Sequence, residues 1–433
     1  MHNDHADRTI CNPACQVRPL NAAAYLQEAT YRATRLPVSR ASTLIPDAYT
    51  EPAFHELEVD RVFSTSWVPV TVADAVAHPG DALVTRVAGR SIIIARNRGG
   101  ELRGFHNVCR HRGAELLDHG ACRIDRHIRC PYHSWAYDLD GRLLGTPLFS
   151  DDAHIPEDQQ GIFDMSDVER FRREDHGLHP VAVAAWGCLV FASVDPDPGP
   201  LEAQLGDLPE RLAGYRLDEW RMTRSATYEI AANYKLVAEN FMEYYHLPWV
   251  HPGLVKVSPM KAHHRWQGTG MYTGMCTRPI AANTDSGGWQ GLSPLEGLSE
   301  EDATSARFVW LFPNAALNVL PNHLFVMLAR PDGPRRTVED VYLFTHPETA
   351  GGTDYERSVD QLATFWDEVN REDIAIVERV QRGLANPAYT GGRMCYRFEE
   401  PLHRFQNMII DRMVGLRRVP AGDEVVERPM FDS

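Results

Sequence analysis

Cys109 and His111 are separated by one residue, Cys130 and His133 by two, and eighteen residues lie between the pairs. Thiolate and imidazole in this order suit a two-iron, two-sulfide cluster of the Rieske type. The cysteines hold one iron and the histidines the other, and imidazole in place of thiolate raises the reduction potential. Pro131 follows the second cysteine, and Gly104 and Gly113 are expected to offer backbone amides near the sulfides. Two Cys and two His also suit tetrahedral zinc. Zinc sites usually group Cys with Cys and His with His, so the mixed order within each pair favours the cluster.

A second group of metal-capable side chains lies in NYKLVAENFMEYYHLPWVHPG, residues 233–253. The pattern predicts a helix over 233–247, which puts Glu239, Glu243 and His246 near one line, flanked by Asn240. Such groups on the inner side of an apolar helix are costly unless paired. Pro248 disfavours helix at Leu247, so the chain turns there and brings His251 back beside His246. Two histidines and a carboxylate make the facial triad of non-haem Fe(II), which leaves positions open for oxygen. A structural His pair in a core is the plainer alternative. The carboxylate is sought on a helix predicted from about Asp354 to Leu384. Its apolar stripe runs through Leu362, Trp366, Val369, Ile376, Val377 and Val380, and Asp373 falls on it. Glu372 and Glu378 are expected to face solvent, although Glu372 stays open as the ligand because adjacent positions lie close on a helical wheel. An arginine salt bridge is the other account of Asp373.

Composition marks out the elements that must carry these groups. A chain of 433 residues suggests two or three domains. The net charge of −15 argues against a nucleic-acid partner, and no basic run suggests a membrane surface. The opening MHNDHADRTI lacks the apolar stretch of a signal peptide. The longest apolar run, Val181 to Val194, is too short to span a bilayer and reads as two buried strand segments. A soluble cytoplasmic enzyme is the expectation. Eight cysteines in a chain of this length make no disulfide framework, so Cys11, Cys15, Cys122, Cys188, Cys276 and Cys395 are expected as free thiols. Residues 1–50 read as a polar arm packing on the catalytic part, with a short helix near Ala22 to Thr34. Residues 51–198 read as a β-rich cluster domain, with strands such as Ala82–Arg86 and Ser91–Ala95 split by glycine turns. Both Cys/His pairs fall at hairpin tips, after a strand at Gly104–Val108 and before one at Ala136–Leu139. The linker DPDPGP, residues 195–200, leads into a catalytic domain of long helices and strands over 199–433.

Taken together, these features resemble the α subunit of Rieske non-haem iron oxygenases, which hydroxylate rings or demethylate nitrogen. The resemblance is carried by FHNVCRHRGAEL (105–116), CPYHSWAYDLDG (130–141) and the NYK, EN, E, YH and H of 233–251, and spans about Tyr49 to Met413. It implies an α+β fold: a β-rich Rieske [2Fe–2S] domain, then a helix-grip catalytic domain with a curved antiparallel sheet. It implies mononuclear Fe(II) on His246, His251 and Asp373, with Asn240 beside them. Glu243 would link that iron to the partner subunit's His133, and a head-to-tail homotrimer, or a multiple of trimers, follows from that link. A separate NAD(P)H-dependent flavin/iron–sulfur reductase is implied, since the chain carries no flavin or nicotinamide motif. Glu243 stands where most aromatic dioxygenases have Asp, Tyr234 stands where Trp is usual, and the eighteen-residue gap is long. Glu at the bridge and the segment EDIAIVERVQRGL, 372–384, look similar to the carnitine, choline and betaine oxygenases.

That branch implies a substrate with a quaternary or methylated nitrogen, hydroxylated beside the nitrogen so that the C–N bond then breaks. An aromatic cage would hold the cation, and Tyr244, Trp249, Trp266, Tyr272, Trp310 and Phe312 are its candidates. A second reading is a hydroxylase or dioxygenase of an aromatic acid, whose carboxylate would need Lys256, Lys261, Arg278 or Arg307. A third is a Rieske electron carrier, which has no use for an open second iron site.

Overall fold

The structure is a computed structural model that describes residues 19–147, 171–278, 280, 292–350, 354–419 and 428–429. Among the described residues, ten short strands lie between residues 68 and 193: β1 (Val68–Val72), β2 (Asp81–Val87), β3 (Arg90–Arg96), β4 (Leu102–His106), β5 (Gly120–Arg123), β6 (Ile128–Arg129), β7 (Ala136–Tyr137), β8 (Leu143–Gly145), β9 (Pro180–Trp186) and β10 (Leu189–Ser193). Seven form a sheet in the order β1-β10-β9-β4-β3-β2-β5, and β6-β7-β8 form a small separate sheet. The apolar run at 181–194 is the β9–β10 hairpin. Gly104 is not near the cluster loops: it lies within β4, where an added Cβ would stand 2.6 Å from the Val181 carbonyl oxygen. Its task is to let β4 approach β9 closely.

The second half is built on an antiparallel sheet of β11 (Arg221–Ile230), β12 (His263–Arg265), β13 (Tyr272–Thr277), β14 (Ala306–Leu311), β15 (Ala315–Val319), β16 (Leu324–Pro331), β17 (Thr337–Thr345) and β18 (Arg428–Pro429). Its order is β11-β17-β16-β15-β14-β13-β12-β18. Strands β13, β14 and β15 are buried along their whole length, because both faces are covered. Side chains alternate across a strand, and the two parities enter different cores. Val309, Leu311, Leu317 and Val319 pack with Trp67, Leu189 and Phe191 of the cluster unit. Phe308, Trp310, Ala316 and Phe325 pack under Leu362 and Trp366 of the long helix Tyr355–Leu384. A helix at Tyr396–Met413 completes that cover. The expected α+β class is the one observed.

The N-terminal arm departs from expectation. No α-helix forms near residues 22–34; the chain makes 3-10 turns at Ala24–Leu26 and Glu28–Tyr31. Tyr25 and Tyr31 anchor those turns in the core, and Arg35 pairs with Asp411 of the last helix at 2.7 Å. Tertiary anchoring thus overrides local helix propensity. Cys122, Cys188, Cys276 and Cys395 form no disulfide among the described residues, whereas Cys11 and Cys15 lie outside the described residues.

A buried ion pair ties the helix Pro52–Arg61 to the helix Tyr234–Phe241. Lys235 Nζ lies 2.9 Å from both carboxylate oxygens of Glu58, and neither side chain is exposed. Tyr234, where the family usually has Trp, donates its hydroxyl to the same carboxylate at 2.9 Å. Tyr49, Phe54 and Tyr234 present their rings to the ammonium. Burial pulls the Lys235 pKa down, and the Glu58 charge works against that. Removing one partner strands a buried charge, whereas replacing both does not. Glu58→Ala is therefore expected to cost about 3–5 kcal/mol in denaturant unfolding. The double variant Glu58→Leu with Lys235→Met should recover most of that loss. A single variant as stable as the double would show that the pair is not a buried charge contact.

Candidate metal centres and the cavity between them and the sheet

The cluster loops repeat one backbone device. Gly113 N–H donates to the Cys109 carbonyl at 3.0 Å, and Ser134 N–H donates to the Cys130 carbonyl at 3.0 Å. Gly113 and Ser134 both have positive φ, 76° and 59°. Each turn thereby folds its histidine back toward its cysteine. Cys109 and Cys130 are buried in the local apolar cluster with Trp135 and Tyr137. The Tyr137 hydroxyl lies 3.4 Å from Cys109 Sγ and accepts from Arg110 N–H at 3.0 Å. The rings of His111 and His133 are 4.7 Å apart, and Trp135 stacks on His111 at 4.9 Å. His133 Nδ1 is buried with no hydrogen-bond partner among the described residues. Burial and the neighbouring His133 hold the His111 imidazole below its ordinary pKa. Two buried thiols and two facing imidazoles fit a [2Fe–2S] cluster of mixed ligation.

The second centre starts from a helix that is shorter than the sequence pattern suggests. Asn233 caps it by accepting from Lys235 N–H at 3.0 Å, and it ends at Phe241, not at residue 247. The reason is Glu243. Its carboxylate accepts from the backbone N–H of Tyr245 and of His246, competing with helical hydrogen bonding. Its other oxygen lies 2.5 Å from His246 Nδ1. His246 then opens a one-turn helix, Leu247–Val250, with Pro248 in its first turn. His251 follows directly, 2% exposed. Glu239 takes no part in this centre: it accepts from Tyr49 Oη at 2.6 Å and Gln406 Nε2 at 2.9 Å.

The long helix supplies both acids at 372 and 373, with different tasks. Asp373 Oδ1 lies 2.7 Å from His251 Nε2 and 3.6 Å from His246 Nε2. It also accepts from Asn240 Nδ2 at 2.6 Å. Glu372, although half-exposed, holds His251 Nδ1 at 2.6 Å. Glu378 accepts from Ala231 N–H. Ligand-capable atoms of His246, His251 and Asp373 all lie within 4.8 Å of one another. Each imidazole is held at Nδ1 by a carboxylate, which leaves Nε2 for the centre. Two such nitrogens and one carboxylate oxygen fit a facial triad for Fe(II).

The triad lines a half-open cavity, whose empty space with its open mouth is about 570 Å³. Its floor is the sheet face that carries Met275, Phe308, Asn318 and Phe325, and its wall carries Tyr244 and Trp366. Of the six residues expected to form an aromatic cage, Tyr244 alone lines it. Trp249 is 72% exposed. Trp266 and Tyr272 lie in the opposite core, where Arg211 stacks over Trp266 at 3.7 Å and donates to Tyr272 Oη at 2.7 Å. Trp310 and Phe312 pack against Phe405 of the last helix. Phe308 and Phe325 went unrecognised because their place depends on strand register, although their alternation with apolar neighbours was visible. Glu339 was missed entirely. It is fully buried on β17, accepts from Asn370 Nδ2 at 2.8 Å, and leaves Oε1 without a partner among the described residues. Asn370 lines the cavity.

Known proteins agree with this arrangement. Residues 66–156 match the Rieske [2Fe–2S] domain, and residues 217–415 match the catalytic domain of the ring hydroxylating alpha subunit. Over 356 residues the chain is 30% identical to the carnitine monooxygenase oxygenase subunit of Escherichia coli K12, covering 79% of this chain and 84% of that one. It is 27% identical over 403 residues to the glycine betaine monooxygenase oxygenase subunit of Chromohalobacter salexigens, covering 85% of each. A solved quaternary ammonium Rieske monooxygenase superposes with a TM-score of 0.72 at 26% identity, covering 88% of this chain and 97% of that one. Fold and site define a Rieske-type oxygenase subunit. The chain belongs to the Rieske non-haem iron oxygenase α-subunit family, and its cofactors are a [2Fe–2S] cluster and a mononuclear iron.

Two predictions follow from the acids around the triad. Asp373→Ala should abolish stoichiometric binding of the mononuclear iron. Glu372→Ala should keep the site but weaken iron affinity about 10–100-fold, the usual cost of losing a ligand's outer partner. Iron titration of metal-stripped protein measures both, with the cluster's visible spectrum as internal control. The opposite ranking would exchange the two roles. The second concerns Glu339, whose carboxyl burial pushes up to about 7; Asn370 opposes this and the Asp373 charge adds to it. A raised folded-state pKa contributes stability below the unfolded value, and that contribution is lost as pH rises through about 7. Glu339→Gln should therefore gain on the wild type between pH 5 and 8, by on the order of 3 kcal/mol at most. Unfolding of protein stripped of mononuclear iron measures the difference, and a pH-independent difference would refute it.

Proposed function

We propose that the chain is the terminal oxygenase of a system that hydroxylates a quaternary or methylated amine at a carbon beside nitrogen, after which the C–N bond breaks and an aldehyde leaves. One observation carries this reading. The cavity under the triad is walled by Tyr244, Phe308, Phe325 and Trp366, holds the carboxylates of Glu243 and Asp373, and has no Lys or Arg among its described lining residues. Aromatic faces and carboxylates favour a cation. An aromatic acid would need a basic partner, and the four considered lie elsewhere. Arg307 pairs with Asp302 at 2.8 Å, Arg278 with Glu301 at 3.1 Å, and Lys256 and Lys261 are exposed. The similar proteins named for glycine betaine and carnitine support the same class.

In this reading Cys109, His111, Cys130 and His133 hold the cluster in residues 51–198, and His246, His251 and Asp373 hold the iron in residues 199–433. When bound, the iron activates O2 with electrons that the cluster delivers. Asn240 fixes Asp373, Glu372 and Glu243 fix the two imidazoles, and the apolar walls keep water from the substrate carbon. A separate NAD(P)H-dependent flavin/iron–sulfur reductase feeds the cluster, in the cytoplasm. No helix among the described residues is long and apolar enough to cross a membrane.

We further propose a head-to-tail homotrimer. Tyr132, 57% exposed, lies against His133, while Tyr245 and Trp249, 47% and 72% exposed, flank His246. Such exposed aromatics suit a protein interface, and each sits beside one metal centre. Pairing these faces would bring the partner subunit's His133 to Glu243. The solved relative, which is described in terms of inter-subunit electron transfer, supports that assembly.

Oxygen uptake with a matched reductase tests the function, screened over methylated ammonium compounds and small aromatic acids. Uptake stoichiometric with aldehyde release from the ammonium compounds is expected. Uptake with the acids alone would overturn the reading. Glu243→Gln tests the link. Both metals and the trimer should persist and the cluster should reduce, while turnover falls at least about tenfold. A Gln variant with near-normal turnover would show that this carboxylate does not couple the sites.

A further inference from the structure

Strand register fixes one row of side chains across the cavity floor. Met275 on β13 is paired with Phe308 on β14, Phe308 with Asn318 on β15, and Asn318 with Phe325 on β16. All four line the cavity. Three are apolar and the fourth is an asparagine, 3% exposed, whose Oδ1 has no hydrogen-bond partner among the described residues. Most neighbouring polar groups of the cavity are committed; the Tyr244 hydroxyl is the other buried side-chain polar atom of the lining without a hydrogen-bond partner among the described residues. Asn240 donates to Asp373, Asn370 to Glu339, and Ser258 Oγ is bonded to Thr277 Oγ1 at 3.0 Å. A buried amide left unpaired costs about 1–3 kcal/mol, and a leucine in that row would avoid the cost. Nothing in the packing of the sheet calls for an amide there.

We propose that Asn318 reads the polar end of the substrate, and that the substrate is a methylated ammonium compound bearing a hydroxyl and no carboxylate. This rests on the reading of the cavity as an alkylammonium site. A hydroxyl can donate to Oδ1, and it can equally accept from the amide nitrogen, so either amide orientation serves. A carboxylate cannot be accommodated in this way. Its partners would be one neutral amide on an apolar floor and the Tyr244 hydroxyl, in a cavity that also holds the carboxylates Glu243 and Asp373, and buried charge without an ionic partner is far costlier than a buried hydroxyl. Floor and triad line the same cavity. A short molecule held at Asn318 by its hydroxyl then turns its ammonium end to Tyr244, Trp366 and the triad.

The test uses the full chain with both metals loaded and three probes of similar size: choline, n-propyltrimethylammonium, which lacks the hydroxyl, and glycine betaine, which carries a carboxylate. Affinity is read by calorimetry and kcat/KM by oxygen uptake with the reductase. Wild type should favour choline over each of the others by about tenfold or more, in Kd and in kcat/KM. Asn318→Leu should compress the choline-to-propyl ratio to within about threefold, chiefly through Kd and KM. The melting temperature of its ligand-free form should not fall, as it would for a structural amide. Asn318→Ser should keep part of the preference. Equal treatment of choline and its propyl analogue by wild type, betaine binding as tightly as choline, or an undiminished preference in Asn318→Leu would each overturn the proposal. The wild-type comparison stands even if a variant fails to fold. If none of the three ammonium compounds binds wild type, it is the alkylammonium reading that fails, and this inference falls with it.

Discussion

An imidazole can present Nε2 to a metal reliably only when something else holds Nδ1. Here two carboxylates do so, Glu243 on His246 at 2.5 Å and Glu372 on His251 at 2.6 Å. Much of the catalytic half can be traced to that requirement. Glu243 can reach back to His246 only if the chain leaves the helix after Phe241. The short turn of helix that follows, with Pro248 in it, sets the spacing to His251. Glu372 must arrive from another element, and the 30-residue helix Tyr355–Leu384 carries it along with Asp373. Adjacent residues on one helix thus serve opposite sides of the same imidazole.

The long helix can do this because the sheet beneath it is buried on both faces. Odd-numbered residues of β14 and β15 support the cluster unit, and even-numbered ones form the floor of the cavity. Each strand therefore does two jobs with alternate side chains. A one-residue slip would exchange Val309 and Leu317 for Phe308 and Asn318, and would bury an amide against Leu189 and Phe191. Register is strongly specified as a result. The close approach of β4 to β9 at Gly104 closes the cluster unit's own sheet, and the Lys235–Glu58 pair ties the helix Pro52–Arg61 to the helix Tyr234–Phe241.

The sequence made the chemistry far more legible than the shape of the pocket. Cys109, His111, Cys130 and His133 stand in a spacing that few other sites share; the Cys130–His133 loop is the expected hairpin tip between β6 and β7, whereas the Cys109–His111 loop joins β4 to β5, which pair with other strands. Asp373 was legible because a carboxylate on the apolar stripe of a helix needs a reason to be there. Glu372 was not, because its exposure on a helical wheel hides a contact made through a long side chain. The helix over 233–247 was overextended for a similar reason: propensity sees an apolar, acidic stretch, whereas the Glu243 carboxylate captures backbone N–H groups and stops it. The cage was misplaced because aromatic type says nothing about strand parity or neighbouring strands. Trp266 and Trp310 look alike in sequence and lie in different cores. Phe308 and Phe325 meet across Asn318 only once three strands are in register.

The carboxylates that hold the metal also bear on what else can enter. An imidazole that ligates a metal is neutral, and Glu243, Glu372 and Asp373 surround those of His246 and His251. Three formal negative charges against one divalent ion leave the filled site net negative. Apolar walls screen that charge poorly, so it reaches the cavity beneath. A cationic substrate is attracted by it and an anionic one repelled. Metal retention and substrate charge are therefore coupled through the same groups. A carboxylate removed to loosen the iron would also weaken the pull on an ammonium, and a basic residue added to admit an acid would compete with the iron for its own supports. Within this architecture, selectivity for charge is set at the triad. The sheet floor, with its single amide, is left to choose among cations.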